Sequence, residues 1–483
     1  MIKNSLDFSP EDFKTLLEKS TELVLEKFEN LSEKKAFYSH PQKEFEAWFD
    51  ETLPEEGMPA EELLELTKSK VTDVATDNLG RHMYAYVMAG GNQLGIIGEF
   101  LAATINQNMG KWHLGPSVAE MEKRIVQWGS DIIGYGDNIG GVLVSGGSAA
   151  NLTGLTAARN IFFQKRGIRE KGLFGQKPFV VYASKEVHGC IDKSVDMLGI
   201  GTSHLRKIET NPDFTINLEA LKQQIEADIK QGLEPFCIVG TAGTVNTGAI
   251  DDLDSLAAIT KKYGLWFHVD GAYGGLASTL ESLKTDYKGL ELADSVAIDF
   301  HKWLYAPFGV GCTLVKNWSV LKDTYFKKAD YLDTGLEDEG RLDFNEHTFQ
   351  LSRSARALKV WMSVKGYGMK RIRQMIQKDI DLTDYLSDKV EEANDFELVA
   401  RSKLAVSCFR FTGNLKTEEE IVELNNRLIP ALEEDGRVFI TGTRLNGMFV
   451  IRACVINHRK QKEDIDYLIK VIREVGNNII NGD

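Results

Sequence analysis

Between about residues 90 and 365 the chain repeats one pattern: a short, uninterrupted apolar run, then a Gly-rich or polar turn, then a helical segment. The runs are Gly141-Val142-Leu143-Val144, Phe179-Val180-Val181-Tyr182, Phe236-Cys237-Ile238-Val239, Leu265-Trp266-Phe267-His268-Val269 and Ser295-Val296-Ala297-Ile298. A strand with apolar residues at every position is buried on both faces. The pattern therefore predicts an α/β unit with a mostly parallel central sheet covered by helices. In such sheets ligands bind beyond the carboxyl ends of the strands, so the residues just after each run are the ones to inspect.

At 483 residues the chain exceeds what one simple core organises. The composition divides it into an N-terminal helical segment (residues 1–85), a large α/β domain (86–365) and a small, more charged α+β domain (366–483). Ser9-Pro10-Glu11-Asp12 has the form of a helix start, with Ser as cap and Pro in the first turn. Phe13, Leu16, Leu17, Leu23, Val24 and Phe28 continue it at helical spacing; they suit a peripheral helix or an arm on a partner subunit equally. The net charge of −14 disfavours nonspecific binding to nucleic acid or to an anionic membrane. Five cysteines, an odd count without a CxxC pair, predict neither a disulfide framework nor a metal site. The polar N-terminus does not read as a secretory signal, and no run approaches the ~18 apolar residues of a membrane helix. A cytoplasmic location is expected.

Asp299-Phe300-His301-Lys302-Trp303 follows the last run directly. Burial at a strand end would lower the pKa of a lysine there, as an imine-forming amine requires; a surface lysine is the alternative. In His268-Val269-Asp270-Gly271-Ala272-Tyr273 an Asp closes another buried run. It needs a cationic partner or serves as a helix cap. Ser145-Gly146-Gly147-Ser148-Ala149-Ala150-Asn151 joins a run to a helix, and its small residues let the backbone approach a phosphate at the helix N-terminus. It lacks both the GKS/GKT ending of a nucleotide P-loop and a GxGxxG turn. His188 follows the run at 179–182, where it is a stacking residue or a structural one.

Taken together, SGGSAANL, the following His188, GTAGTVNTGAID, HVDGAY and DFHKW resemble, in order and spacing, the group II pyridoxal-phosphate decarboxylases, with the strongest likeness over about residues 80–365. The resemblance implies a fold-type I transferase-like large domain, pyridoxal 5'-phosphate as cofactor, an amino-acid substrate and a homodimer. It implies that Lys302 forms the Schiff base, that Asp270 pairs with the pyridine nitrogen and that Ala272 packs beneath the ring. His188 would stack on the ring and orient the substrate. Gly147 and Ser148 would hold the phosphate, and Thr244, Asp299 and His301 would lie at the cofactor. Tyr84, Tyr86, Met88 and Trp112 fall where aromatic-amino-acid decarboxylases line the substrate pocket.

Three positions depart from the family pattern. Val245 stands where Thr is frequent, and Asp299 where Asn is frequent. Phe344 occupies the place of a proton-donating Tyr in a loop expected at about 325–350, and a phenyl ring cannot donate a proton. Two outcomes follow: decarboxylation of an L-amino acid, aromatic in the resemblance, to the amine; or oxidation to an aldehyde with ammonia and peroxide. The donor in the first outcome is Tyr331, His347 or water. Retro-aldol cleavage and cysteine desulfuration are more distant alternatives.

Overall fold

The computed structural model describes residues 5–31, 33–327 and 341–482; Tyr331, Gly335 and Gly340 of the expected loop lie outside the described residues. The chain forms two compact units. One gathers the stretch up to Met88 with Asp384–Val399 and Cys408–Asp483; the other comprises Ala89–Thr383 and Ala400–Ser407.

The second unit is built on a seven-stranded sheet. Its strands are β1 (Gly140–Val144), β2 (Phe179–Ser184), β3 (Leu205–Ile208), β4 (Glu234–Thr241), β5 (Trp266–Gly271), β6 (Ser295–Asp299) and β7 (Gly311–Val315). They lie side by side in the order β1-β7-β6-β5-β4-β2-β3. β3, β2, β4, β5 and β6 pair in parallel, whereas β7 runs antiparallel to both of its neighbours. β1 therefore points the same way as β6. The mostly parallel sheet agrees with the apolar runs, all five of which are strands. β3 and β7 were not singled out in the sequence. β3 has a mixed burial pattern, and β7 is a short return strand beginning at Gly311.

Helices cover the sheet because their apolar stripes have nowhere else to go. Leu155, Ala157 and Ala158 of the helix Gly147–Phe162 join Ile191 and Val195 of the helix Cys190–Met197 in a buried cluster. Val181, Ala183, Cys237 and Val239 of the sheet belong to the same cluster. Sheet-facing glycines set how closely the helix approaches: a Cβ at Gly154 would fall 2.5 Å from His268 Cε1.

The edge strand β1 is fastened by a buried ion pair. Glu122 Oε1 accepts from the Leu143 N–H at 3.0 Å. Arg353 donates to the same carboxylate oxygen at 2.5 Å and to the Leu143 carbonyl at 2.8 Å. Both charged side chains are essentially inaccessible, at 1% and 0%.

The first unit contains a four-stranded sheet ordered β10-β11-β9-β8, with β8 Phe396–Arg401, β9 Val406–Phe411, β10 Thr441–Leu445 and β11 Met448–Cys454. Asn446 and Gly447, both at positive φ, make the tight turn between β10 and β11. The N-terminal stretch shares this unit's core. Phe37 stacks on Phe439 at 4.7 Å, and the Tyr84 hydroxyl donates to the Asp464 carbonyl at 2.8 Å. Ser9 caps the helix Pro10–Glu29, as its sequence indicates.

Replacing Arg353 by Met leaves Glu122 buried without its cation. Loss of one partner of such a pair costs about 3–5 kcal/mol. Urea unfolding of the R353M variant should show a loss of that size, partly restored by adding Glu122→Gln; unchanged unfolding would show that the pair does not hold the edge.

Candidate active site

The parallel strands and β1 end at one edge of the sheet, and the turns that follow them bring the residues together. β6 ends at Asp299, which precedes the single helical turn Phe300–Trp303. One helical turn separates Lys302 from Asp299, and its Nζ lies 3.3 Å from Asp299 Oδ2; their side chains are 19% and 2% exposed. His301 Nε2 is 3.7 Å from the same oxygen. His301 Nδ1 donates to the Val310 carbonyl at 3.1 Å, and its ring packs on Phe308. Burial holds the His301 imidazole below its ordinary pKa and so favours the neutral form.

Asp299 is enclosed by glycines. A Cβ at Gly311, its partner across the β6–β7 ladder, would fall 2.5 Å from Asp299 Oδ1. A Cβ at Gly147 would fall 2.9 Å from Asp299 Oδ2 and 2.7 Å from the Ala272 Cβ. The glycine turn after β1 thus rests directly on the ends of β5 and β6. The helix that it opens, Gly147–Phe162, has no side chain capping its first N–H groups. These are the donors with which a helix N-terminus takes a phosphate.

β5 delivers Asp270, 5% exposed, whose Oδ1 accepts from the Ala272 N–H at 3.1 Å. Beyond β2, His188 is exposed, and its Nδ1 accepts from the Cys190 N–H at 3.2 Å. In the neutral ring the proton is therefore on Nε2, the nitrogen left to meet a ligand. Thr244 is fully buried, and its hydroxyl is used inside its own loop: it pairs with Thr247 Oγ1 at 2.9 Å and accepts from the Ala249 N–H at 3.1 Å. Ser148 is exposed in the first turn of its helix.

The residues expected to line a substrate pocket are placed as follows. Trp112 is half-buried, and its indole N–H donates to Glu120 at 3.0 Å with the Arg341 guanidinium over the ring. Phe344 has no exposed surface and packs between Trp318 and the Arg353 guanidinium, 4.8 Å from the latter. Its neighbour Asp343 ties the segment down by accepting from Lys111 Nζ and the Trp112 N–H. Tyr84, Tyr86 and Met88 belong to the other unit. Tyr84 is fully buried beneath the Lys460 ammonium, Tyr86 is exposed at positive φ, and Met88 is half-buried.

Three buried polar residues beneath the edge went unnoticed in the sequence: His268, Asn151 and Ser295. Alternation along β5 was the available signal, since His268 and Asp270 fall on one face. Burial pushes the His268 imidazole down to about 4, against the pull of the Asp270 charge. Nearby, burial and the same charge push the Cys190 thiol up to about 12. Cys190 is therefore no ready nucleophile, which disfavours desulfuration.

The family described as "Pyridoxal-dependent decarboxylase conserved domain" matches residues 41–412. An aromatic-L-amino-acid decarboxylase of Bacillus atrophaeus is 31% identical over 480 residues, covering 99% of this chain and 98% of that protein. A phenylacetaldehyde synthase of Petunia hybrida is 28% identical, covering 89% and 87%. In fold, the chain is similar to the crystal structure of Oryza sativa TDC with PLP and tryptamine. The TM-score is 0.92 at 23% identity, over 98% of this chain and 100% of that one.

The glycine turn supplies a direct test. Gly147→Ala forces its new methyl against Ala272 and Asp299, so affinity for pyridoxal 5'-phosphate should fall by about tenfold or more. Fluorescence titration of the apoprotein would measure this; wild-type affinity would mean that the turn does not touch the cofactor.

Proposed function

We propose, for a chain that belongs to the pyridoxal-dependent decarboxylase family, that it removes the carboxylate of an aromatic L-amino acid as CO2 and releases the corresponding amine. The chain is a carboxy-lyase that uses pyridoxal 5'-phosphate. The observation that carries the site assignment is the convergence of Lys302, Asp299 and Asp270 with the glycine turn at one sheet edge. The choice of an aromatic substrate is supported by the Bacillus relative's name.

The residues present fit the cofactor. The uncapped helix N-terminus at Gly147 and Ser148 suits its phosphate, and the Asp270 carboxylate suits a protonated pyridine nitrogen. Asp299 Oδ1 is buried without a hydrogen-bond partner among the described residues, so the pocket keeps an acceptor to spare. When bound, pyridoxal 5'-phosphate supplies an aldehyde that condenses with amines and a cationic ring that withdraws the electron pair left by departing CO2.

In this reading Lys302 provides the attaching amine. Asp299, 3.3 Å away, would hold the lysine side chain at the sheet edge where the cofactor's aldehyde is to be met. Asp270 keeps a proton on the ring nitrogen and so preserves its pull on electrons. His188 presents Nε2–H toward the substrate carboxylate, because its other nitrogen is occupied by the Cys190 N–H. Ala272 adds a small side chain against which a flat ring can lie. His301 and Thr244 act as supports, bonded respectively to the Val310 carbonyl and within the 244–249 turn. Phe344 packs between Trp318 and Arg353 and has no acidic proton, so the amine reading takes its final proton from another group.

We extend the proposal to a homodimer. The helix Gln93–Ile105 leaves Ile97, Phe100, Leu101 and Ile105 exposed, a run of apolar surface that an isolated chain does not cover. A cytoplasmic location is supported by five free, buried cysteines. No helix among the described residues is long and apolar enough to cross a membrane.

Turnover of L-tryptophan, L-tyrosine and L-phenylalanine should yield amine and CO2 in equal amounts; stoichiometric peroxide and aldehyde would overturn the amine assignment. Lys302→Ala should lose the near-visible absorption of the lysine-bound cofactor, and its persistence would exclude Lys302 as the attachment point. Phe100→Glu should convert the dimer to monomer in sedimentation velocity, and an unshifted wild-type dimer would place the interface elsewhere.

A further inference from the structure

Behind the site lies a chain of buried hydrogen bonds with no part in the chemistry above. The Trp266 indole N–H donates to Ser295 Oγ at 2.9 Å. Ser295 Oγ is 2.8 Å from His268 Nδ1, and His268 Nε2 is 2.8 Å from Asn151 Oδ1. The Asn151 amide nitrogen donates to Cys190 Sγ at 3.4 Å. His268, Asn151 and Ser295 have no accessible surface.

The donors and acceptors fix the protons. Asn151 turns its NH2 to sulfur, so its Oδ1 only accepts, and His268 Nε2 must carry hydrogen. Ser295 already accepts from Trp266, whose indole can only donate. Its own hydrogen is free for His268 Nδ1. One neutral tautomer satisfies every partner. The charged or titratable groups near His268 include Asp270 on its own strand, the Cys237 thiol of β4 beside the His268 backbone and, beyond Asn151, the Cys190 thiol.

The chain also links the parts of the site. His268 and Asp270 share a face of β5. Asn151 lies one turn into the helix that Gly147 opens, Ser295 begins β6, which ends at Asp299, and Cys190 is two residues after His188. Gly154 lets the helix press on the imidazole, since a Cβ there would lie 2.5 Å from Cε1 and 2.8 Å from Nδ1.

We propose that His268 is a positioning residue: clamped as an uncharged Nε2–H imidazole between Asn151 and Ser295, it fixes Asp270 relative to the phosphate-binding helix and places no competing cation beneath that carboxylate. Asp270 is then free to hold the proton on the cofactor's ring nitrogen. This inference rests on the pairing of Asp270 with that nitrogen.

The test uses full-length protein loaded with pyridoxal 5'-phosphate labelled with 15N in the ring. In wild type the 15N resonance should report a protonated ring nitrogen at neutral pH. In His268→Leu and Asn151→Ala it should move toward the unprotonated position. Cofactor dissociation into an apoprotein trap should accelerate about tenfold, the scale of one lost buried hydrogen bond. His268→Gln, which restores a donor toward Asn151, should recover part of both effects. Should His268→Leu fail to fold, Asn151→Ala, which leaves the imidazole in place, carries the test with the same two readouts. A protonated ring and wild-type dissociation in Asn151→Ala would overturn the proposal and leave the proposed function standing. Absence of any lysine-bound cofactor signal in wild type would instead bring down the reading on which it rests.

Discussion

The structure of the candidate site depends on one contact, the 3.3 Å approach of Lys302 Nζ to the buried carboxylate of Asp299. Taking a carboxylate out of water is costly unless a cation or hydrogen bonds compensate it. Here the compensating cation is Lys302. The requirement propagates outward: Gly311 and Gly147 must lack side chains to make room for the carboxylate, and β7 must return antiparallel to bring Gly311 opposite it. The glycine turn then has no course except against Ala272 and β5. The glycine turn, Asp270 and Lys302 are thereby brought to one edge around the burial of one charge.

Much of this was legible in the sequence because it follows local rules. Continuous apolar runs announced buried strands, and all five are present. Residues after the runs had to share an edge, since parallel strands end together. What escaped notice depends on tertiary partners. β7 is short, and its direction is decided by pairing with β6 and β1. Thr244 carried a family likeness, but its hydroxyl is used within its own turn. Phe344 read as a residue standing in a proton donor's place, and its packing against Trp318 and Arg353 was not legible. No periodicity distinguishes an enclosed phenyl ring from one at a pocket wall.

His268 shows a different blind spot. A histidine two residues before Asp270 reads as part of the strand. Only its partners on a helix and on the next strand reveal that its tautomer is determined. Polar groups in a core are held to a strict account, because each unpaired one costs free energy. The chain from Trp266 to Cys190 leaves each of these buried groups paired.

The Arg353–Glu122 pair has a consequence outside catalysis. β1 lies at the border of the sheet, and a border strand offers its free N–H and C=O groups to any extended chain that drifts by. At Leu143 both groups are already engaged, one by Glu122 and the other by Arg353. The pair acts as a stopper: a strand from a second, partly unfolded molecule finds the Leu143 rung of β1 occupied by charged side chains that cannot be displaced without stranding a charge. An apolar sheet with such a border can be concentrated in a cell with less risk that its edges template aggregation.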